Sequence, residues 1–186
     1  MAEIDLRVTE RTADFPAGAL LANVAWPESA EPVLVVNHKP SWRTNLAYER
    51  ELQAVVTARQ VEEIVARTGQ HVVLGGDFDA VPESSSLRFW RGEQSLSDVS
   101  VSYCDAWQLR RGTEAGHTFM PSRCTIIEDS WSHYIDRRID YLLVRSGGDG
   151  KGPTLSVTRC ERIFDEPVND IWGSDHFGVL ADFRLP

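Results

Sequence analysis

Four short segments of the chain join apolar, strand-like residues to polar groups able to do chemistry. They are Val36-Asn37-His38-Lys39-Pro40, Gly75-Gly76-Asp77-Phe78-Asp79, Arg137-Arg138-Ile139-Asp140-Tyr141 and Gly173-Ser174-Asp175-His176-Phe177. Asp77 and Asp79 flank an apolar residue, so in an extended chain both carboxylates point to one side. Paired carboxylates repel unless a proton or a cation sits between them. Asp175 beside His176 offers a hard oxygen ligand and a titratable donor. Asp140 falls inside the strand-like run Ile139 to Val144. A charge there needs a partner, and a histidine oriented by the carboxylate is a natural one. His38 follows a continuous apolar strand. Asn37 and Arg138 stand beside these groups as candidate substrate contacts, arginine being suited to bidentate phosphate recognition.

The elements that must position these groups can be read from periodicity. Ala19 to Trp26 and Val33 to Asn37 look like strands, separated by a turn rich in Pro, Glu and Ser. Asn45 to Thr68 reads as a helix. Ala54, Ala58, Val61 and Val65 fall on one face, Ile64 widens it, Thr44 is a candidate N-cap and Gly69 a C-terminal stop. His71 to Leu74 is a short apolar strand running into the glycine pair before Asp77. A helix followed by a buried strand and a glycine turn is the αβ unit of a layered protein. A short helix is expected from Pro82 through Trp90. Later strands are expected at His117 to Met120, Arg138 to Val144, Thr154 to Ile163 and Phe177 to Phe183, giving a mixed or largely antiparallel sheet.

Composition narrows the classes. At 186 residues the chain is expected to form a single domain spanning 1–186, and 42% hydrophobic residues suffice for a real core. The longest apolar run, Pro32 to Val36, is far short of the ~18 residues a membrane helix needs, and the first twenty residues hold no apolar leader. The net charge of -9 disfavours a protein that grips nucleic acid by phosphate neutralisation alone. Lys39 and Lys151 are the only lysines. Cys104, Cys124 and Cys160 are widely spaced with no CxxC pair, so reduced thiols and a cytoplasmic location are expected. No HExxH cluster suggests a zinc hydrolase.

Taken together and in order, the motifs resemble the endonuclease/exonuclease/phosphatase, or deoxyribonuclease-I-like, family. Asp77 through Pro82 to Ser84 is similar to its GDFN-x-x-P-x-S signature, with Asp79 where the family usually has Asn. Val36-Asn37-His38 resembles its N-x-H strand end. Asp105-Ala106-Trp107 and His117-Thr118-Phe119 resemble its D-x-W and T-F stretches, and Ser174-Asp175-His176 its terminal motif. The resemblance runs from about Leu20 to Phe183 and corresponds to the C-terminal two-thirds of a family member. The family's early Asn-ended strand and metal-binding Glu have no counterpart.

What the resemblance implies is specific. The fold is an α+β, four-layer αββα sandwich, here expected to lack its N-terminal strands, which would leave a sheet face and edge exposed and open to self-association. The activity is hydrolysis of a phosphoester, in a small molecule, a lipid head group or a nucleic acid, assisted by Mg²⁺ or Mn²⁺ and by in-line attack of activated water. Asp77 matches the group that orients or deprotonates the water, and also a metal ligand. Asp175 matches a metal-ligating acid. His176 matches a phosphate-contacting histidine held by Asp140, and His38 a second histidine beside the phosphate. Asp79 matches the position of a phosphate donor. The alternative implied by the missing Asn and Glu is an inactive remnant or binding module.

Overall fold

The computed structural model describes residues 1–27, 29–123, 135–148 and 150–186. Cys124 and His133 lie outside the described residues. The elements, in chain order, are β1 (Ala2–Asp5), a 3-10 turn (Glu10–Thr12), β2 (Gly18–Val24), β3 (Val33–Lys39), α1 (Ala47–Thr68), β4 (Val72–Asp77), α2 (Ser85–Trp90), β5 (Tyr103–Asp105), α3 (Ala106–Arg111), β6 (Asp140–Arg145), β7 (Ser156–Ile163) and β8 (Gly178–Arg184).

Strands β1-β2-β3-β4-β6-β5 form one sheet in that order, and β7-β8 a second. Only β3 and β4 run parallel, because α1 carries the chain back across the sheet between them. The remaining pairs are antiparallel, as the sequence led us to expect of a mixed sheet. Residues 117–120 do not form a strand: Phe119 alone makes isolated bridges, to Arg137 and His176. Three short elements escaped the periodicity. β1 is a four-residue edge strand, and β5 with α3 spans Tyr103 to Arg111, too brief to show a repeat.

Helix α1 covers one face of the six-stranded sheet. Ala54, Ala58, Val61 and Val65 pack there against Leu34, Val36, Val72 and Leu74. Gly69 ends the helix at φ 69°, a left-handed turn that suits glycine, and its N–H reaches the Val65 carbonyl. At the other end Leu46, not Thr44, is the N-cap and supplies no side-chain cap. The same helix face buries four polar residues, Glu49, Arg50, Gln53 and Thr57. Gln53 explains its burial by donating to the Leu6 carbonyl and accepting from the Ser41 N–H, which ties the early loops to the helix.

The opposite face is covered by β7-β8 and α3. Val33, Val73 and Val144 meet Trp107, Leu155, Val157 and Cys160 in a second core. On this face Leu20, Val24 and Val35 remain exposed. Val35 lies opposite Ala22, between the levels of Leu20 and Val24, so the three exposed side chains follow one another diagonally across β2 and β3. No helix among the described residues is long and apolar enough to cross a membrane.

Candidate active site at the end of the six-stranded sheet

Strand alternation decides which groups meet. In the β3/β4 ladder Asn37 is level with Gly75, and in the β4/β6 ladder Asp77 is directly opposite Asp140. Val73, Gly75 and Asp77 share a face with Val144, Leu142 and Asp140, the face on which β7-β8 packs. Two like charges directly opposite each other destabilise a sheet unless cations or donors compensate. Here Lys39, two residues beyond Asn37 on the same face, ion-pairs with Asp77 at 2.7 Å and with Asp79. Gly76 lets the strands close: at φ 139° it sits against the His38 carbonyl and Asn37 Oδ1, where a Cβ would fall 2.3 and 2.9 Å away.

Asp140 is fixed from two sides. The Thr118 hydroxyl donates to its Oδ2 at 2.5 Å, and His176 Nδ1 lies 2.9 Å from the same oxygen. Thr118 Oγ1 itself accepts from the Ile139 and Asp140 N–H groups, so one hydroxyl locks the start of β6. The Phe177 N–H donates to the Thr118 carbonyl at 2.7 Å, which seats the His176 loop against that segment. Burial alone would lower the His176 pKa. The hydrogen bond and charge of Asp140, helped by Asp77 and Asp175, reverse that and hold the imidazole above its ordinary value. Asp79 accepts from Lys39 and its N–H donates to Asp77 Oδ1 at 3.0 Å. Burial and the Asp77 charge push the Asp79 carboxyl up, against the pull of Lys39.

Asp77, Asp140 and His176 each present one ligand atom within 4.8 Å of the others. Two carboxylates and an imidazole suit a divalent ion, and their excess of negative charge over the Lys39 ammonium favours one. Asp175, next in the chain, is exposed and accepts weakly from Ser174 at 3.4 Å.

Two expected site residues lie elsewhere. His38 is 1% exposed and points to the α1 side. Its ring rests against Phe78 and Trp90, and its Nδ1 shares a 3.1 Å hydrogen bond with Thr57. Being one residue from Asn37 on a pleated strand, it must face away from Asn37 and Lys39. Arg138 is 7% exposed. It forms a buried ion pair with Asp105 at 2.6 Å and stacks over the Tyr141 ring. Asp105 uses its other oxygen to cap α3 at Trp107, so this pair anchors the second core rather than meeting substrate. Asn37 stays on the site's face. Lys39, within the first of the four segments, and Thr118, within the T-F stretch, carried no assigned role from sequence; the structure gives both a part in holding the acids.

A cavity of about 760 Å³ opens beside Asp140 and His176, lined further by Phe164, Glu166, Val168, Asn169, Ile171 and Ser174.

A mixed sheet backed by helices on one face and a second sheet on the other, with acids and a histidine at its strand ends, defines a layered hydrolase-like architecture. The Endonuclease/Exonuclease/phosphatase family model matches residues 4–176, and the chain belongs to that family. No curated protein matches it. Among solved structures it is similar to truncated Caenorhabditis elegans TDP2 (16% identity, TM-score 0.72, 98% of this chain and 65% of that one). It is similar to D. rerio TDP2 complexed with single strand DNA product (19% identity, TM-score 0.72, 99% and 67%). It is also similar to the human Nocturnin catalytic domain with bound sulfate anion (17% identity, TM-score 0.69, 100% and 58%). These likenesses establish the deoxyribonuclease-I-like fold, and the chain spans 58% to 67% of the length of those structures.

Proposed function

We propose that the chain hydrolyses a phosphoester with the help of a divalent cation. The observation that carries this is the meeting of Asp77, Asp140 and His176 at one strand end, in a member of the Endonuclease/Exonuclease/phosphatase family. Asp77 orients the attacking water and accepts its proton. The water oxygen bonds to phosphorus as the opposite P–O bond breaks, and the departing oxygen is protonated from solvent. His176, positioned by Asp140, donates to a non-bridging oxygen as negative charge builds there. Asp79, carried on the same turn, and Asn37, on the same face, flank the phosphate, and the three N–H donors of Lys39 are shared among the carboxylates. Asp77 and Asp140, with Asp175 adjacent, would hold Mg²⁺ or Mn²⁺. Such an ion, when bound, neutralises phosphate oxygens and lowers the cost of bringing an anion to an acidic site. Among the described residues, Cys104 and Cys160 form no disulfide.

The test is hydrolysis of bis-p-nitrophenyl phosphate by the purified chain with Mn²⁺ or Mg²⁺, beside EDTA and His176→Ala controls. Metal-dependent turnover that His176→Ala abolishes supports the reading. No turnover from the folded chain overturns it for this length of the protein.

A further inference from the structure

The cavity beside His176 has a second wall that phosphoester hydrolysis itself does not use. Phe164, Val168 and Ile171 line it and are 78%, 73% and 70% exposed. Three large apolar side chains held in water around one cavity are costly to keep unless something covers them. The backbone holds them there firmly. Val168 and Ile171 exchange N–H···O bonds at 3.0 Å in both directions. The two residues between them, Asn169 and Asp170, both have positive φ (52° and 61°). That is a tight two-residue hairpin turn, a rigid support rather than a loose loop. Phe164 also adopts a left-handed φ of 57°, a conformation that a bulky side chain rarely accepts. The glycine just after His176-Phe177 makes room chiefly for Ile163, whose Cγ1 would stand 2.8 Å from a Cβ at Gly178, with the Phe164 ring 3.3 Å away beside it. Beneath the wall, Trp172 stacks on Phe177 with ring centroids 5.6 Å apart.

The charges decide the kind of ligand. The described lining holds Asp140 and Glu166 but no Lys or Arg. Arg123 stands next to the lining but is ion-paired to Glu166, and Arg162, over the Phe177 ring, is ion-paired to Asp165, so among the described residues the cavity wall itself presents no free cation to a polyanion. Asp165 and Glu166, neutralised by Arg162 and Arg123, and Asp170 and Asp175 lie close in sequence to the apolar residues, an acidic balance that disfavours insertion into an anionic membrane. A volume of about 760 Å³ with one apolar wall and a few polar groups is instead that of a small-molecule pocket. We propose that Phe164, Val168 and Ile171 form a subsite for an apolar, aryl-sized substituent of a small soluble phosphoester whose phosphorus is attacked beside His176. This rests on the hydrolase reading above.

The experiment compares phenyl p-nitrophenyl phosphate with methyl p-nitrophenyl phosphate, which share a leaving group and differ in the other substituent. Each is assayed with the wild type and with Val168→Thr/Ile171→Thr and Phe164→Ser, variants at exposed positions whose folding is checked by circular dichroism. Intrinsic reactivity cancels when the phenyl-to-methyl ratio of kcat/KM is compared between wild type and variant. That ratio is expected to fall by on the order of tenfold in the variants, the scale of losing one apolar pocket contact. An unchanged ratio, with both substrates turned over, overturns the subsite and leaves the hydrolase reading standing. If neither substrate turns over, calorimetric binding of phenylphosphonate against methylphosphonate, with Mn²⁺ present, decides. Tighter phenyl binding that the variants erase keeps the subsite while the hydrolase reading falls; equal binding overturns the subsite. Co-sedimentation with phosphatidylcholine vesicles that the same variants abolish also overturns it, in favour of a lipid surface.

Discussion

His38, near the end of β3 in the main sheet, and His176, in the loop just before β8 of the second sheet, live in opposite environments. His176 lies on the face that carries Asp77, Lys39 and Asp140, half-buried, with its Nδ1 on a carboxylate. His38 lies on the other face among Phe78, Trp90 and Thr57. Burial, with the Lys39 charge adding, lowers the His38 pKa to about 3, whereas the surrounding acids raise that of His176. The difference comes from a one-residue offset on a pleated strand. Asn37 and Lys39 face the site, so His38 cannot. Chemistry at a sheet edge is therefore allotted by parity before it is allotted by residue type.

The comparison breaks most visibly in activity. His176→Ala is expected to lower phosphodiester turnover by about 10²- to 10³-fold, the scale of removing one transition-state donor. His38→Gln should leave it within about threefold, since it alters a core contact and no group at the site. A large loss in both variants, with both still folded, would mean that His38 reaches the reaction after all.

Stability should separate the two residues in the reverse sense. His38→Ala removes a ring packed against two aromatics and the partner of the buried Thr57 hydroxyl. Such a change should cost about 2–4 kcal/mol in denaturant unfolding, the range for emptying a buried site. His176→Ala leaves a partly exposed surface and should cost less than about 1.5 kcal/mol.

Acid should sharpen the same contrast. A neutral His38 is required in the folded state, while the unfolded chain takes up a proton near its ordinary pKa of 6.5. Between those values the unfolded state binds more protons, so stability falls as pH drops from about 6.5 towards about 3 and gains nothing from His38 above it. His38→Gln should flatten that limb of the stability curve. An unchanged slope would assign the acid sensitivity to other groups.

Much of this was legible in the sequence, for reasons that differ by element. The long helix showed itself because Ala54, Ala58, Val61 and Val65 keep a helical spacing through a length that only a helix satisfies. The site's acids and His176 were legible because several spaced motifs had to occur together and in order. His38 and Arg138 were placed at the site because a motif names residue types but not the side of the strand they take. Arg138 follows a second logic: it is consumed by Asp105, a partner 33 residues away in sequence that no local pattern reveals. The apolar wall at Phe164, Val168 and Ile171 gave no periodic signal either. Its meaning lies in exposure, which only the folded chain defines.

Lys39 offers the smallest and most discriminating effect. Its ammonium bridges Asp77 and Asp79 on the face that carries Asp140, one residue from the buried His38. A divalent ion held by Asp77 must share that carboxylate with it or displace it. Replacing Lys39 with Met removes a competing charge without adding a donor, and Lys39 is only half-buried, so solvent moderates the gain. Titration of Mn²⁺ followed by its electron paramagnetic resonance signal should show affinity for Lys39→Met rising by on the order of tenfold or less. Weaker binding would mean that Lys39 holds the two carboxylates together for the ion. An unchanged constant would mean that the ion sits on the Asp140 side, away from Asp79. Each result places the cation relative to Asp77, the residue through which the two strands and both proposed roles pass.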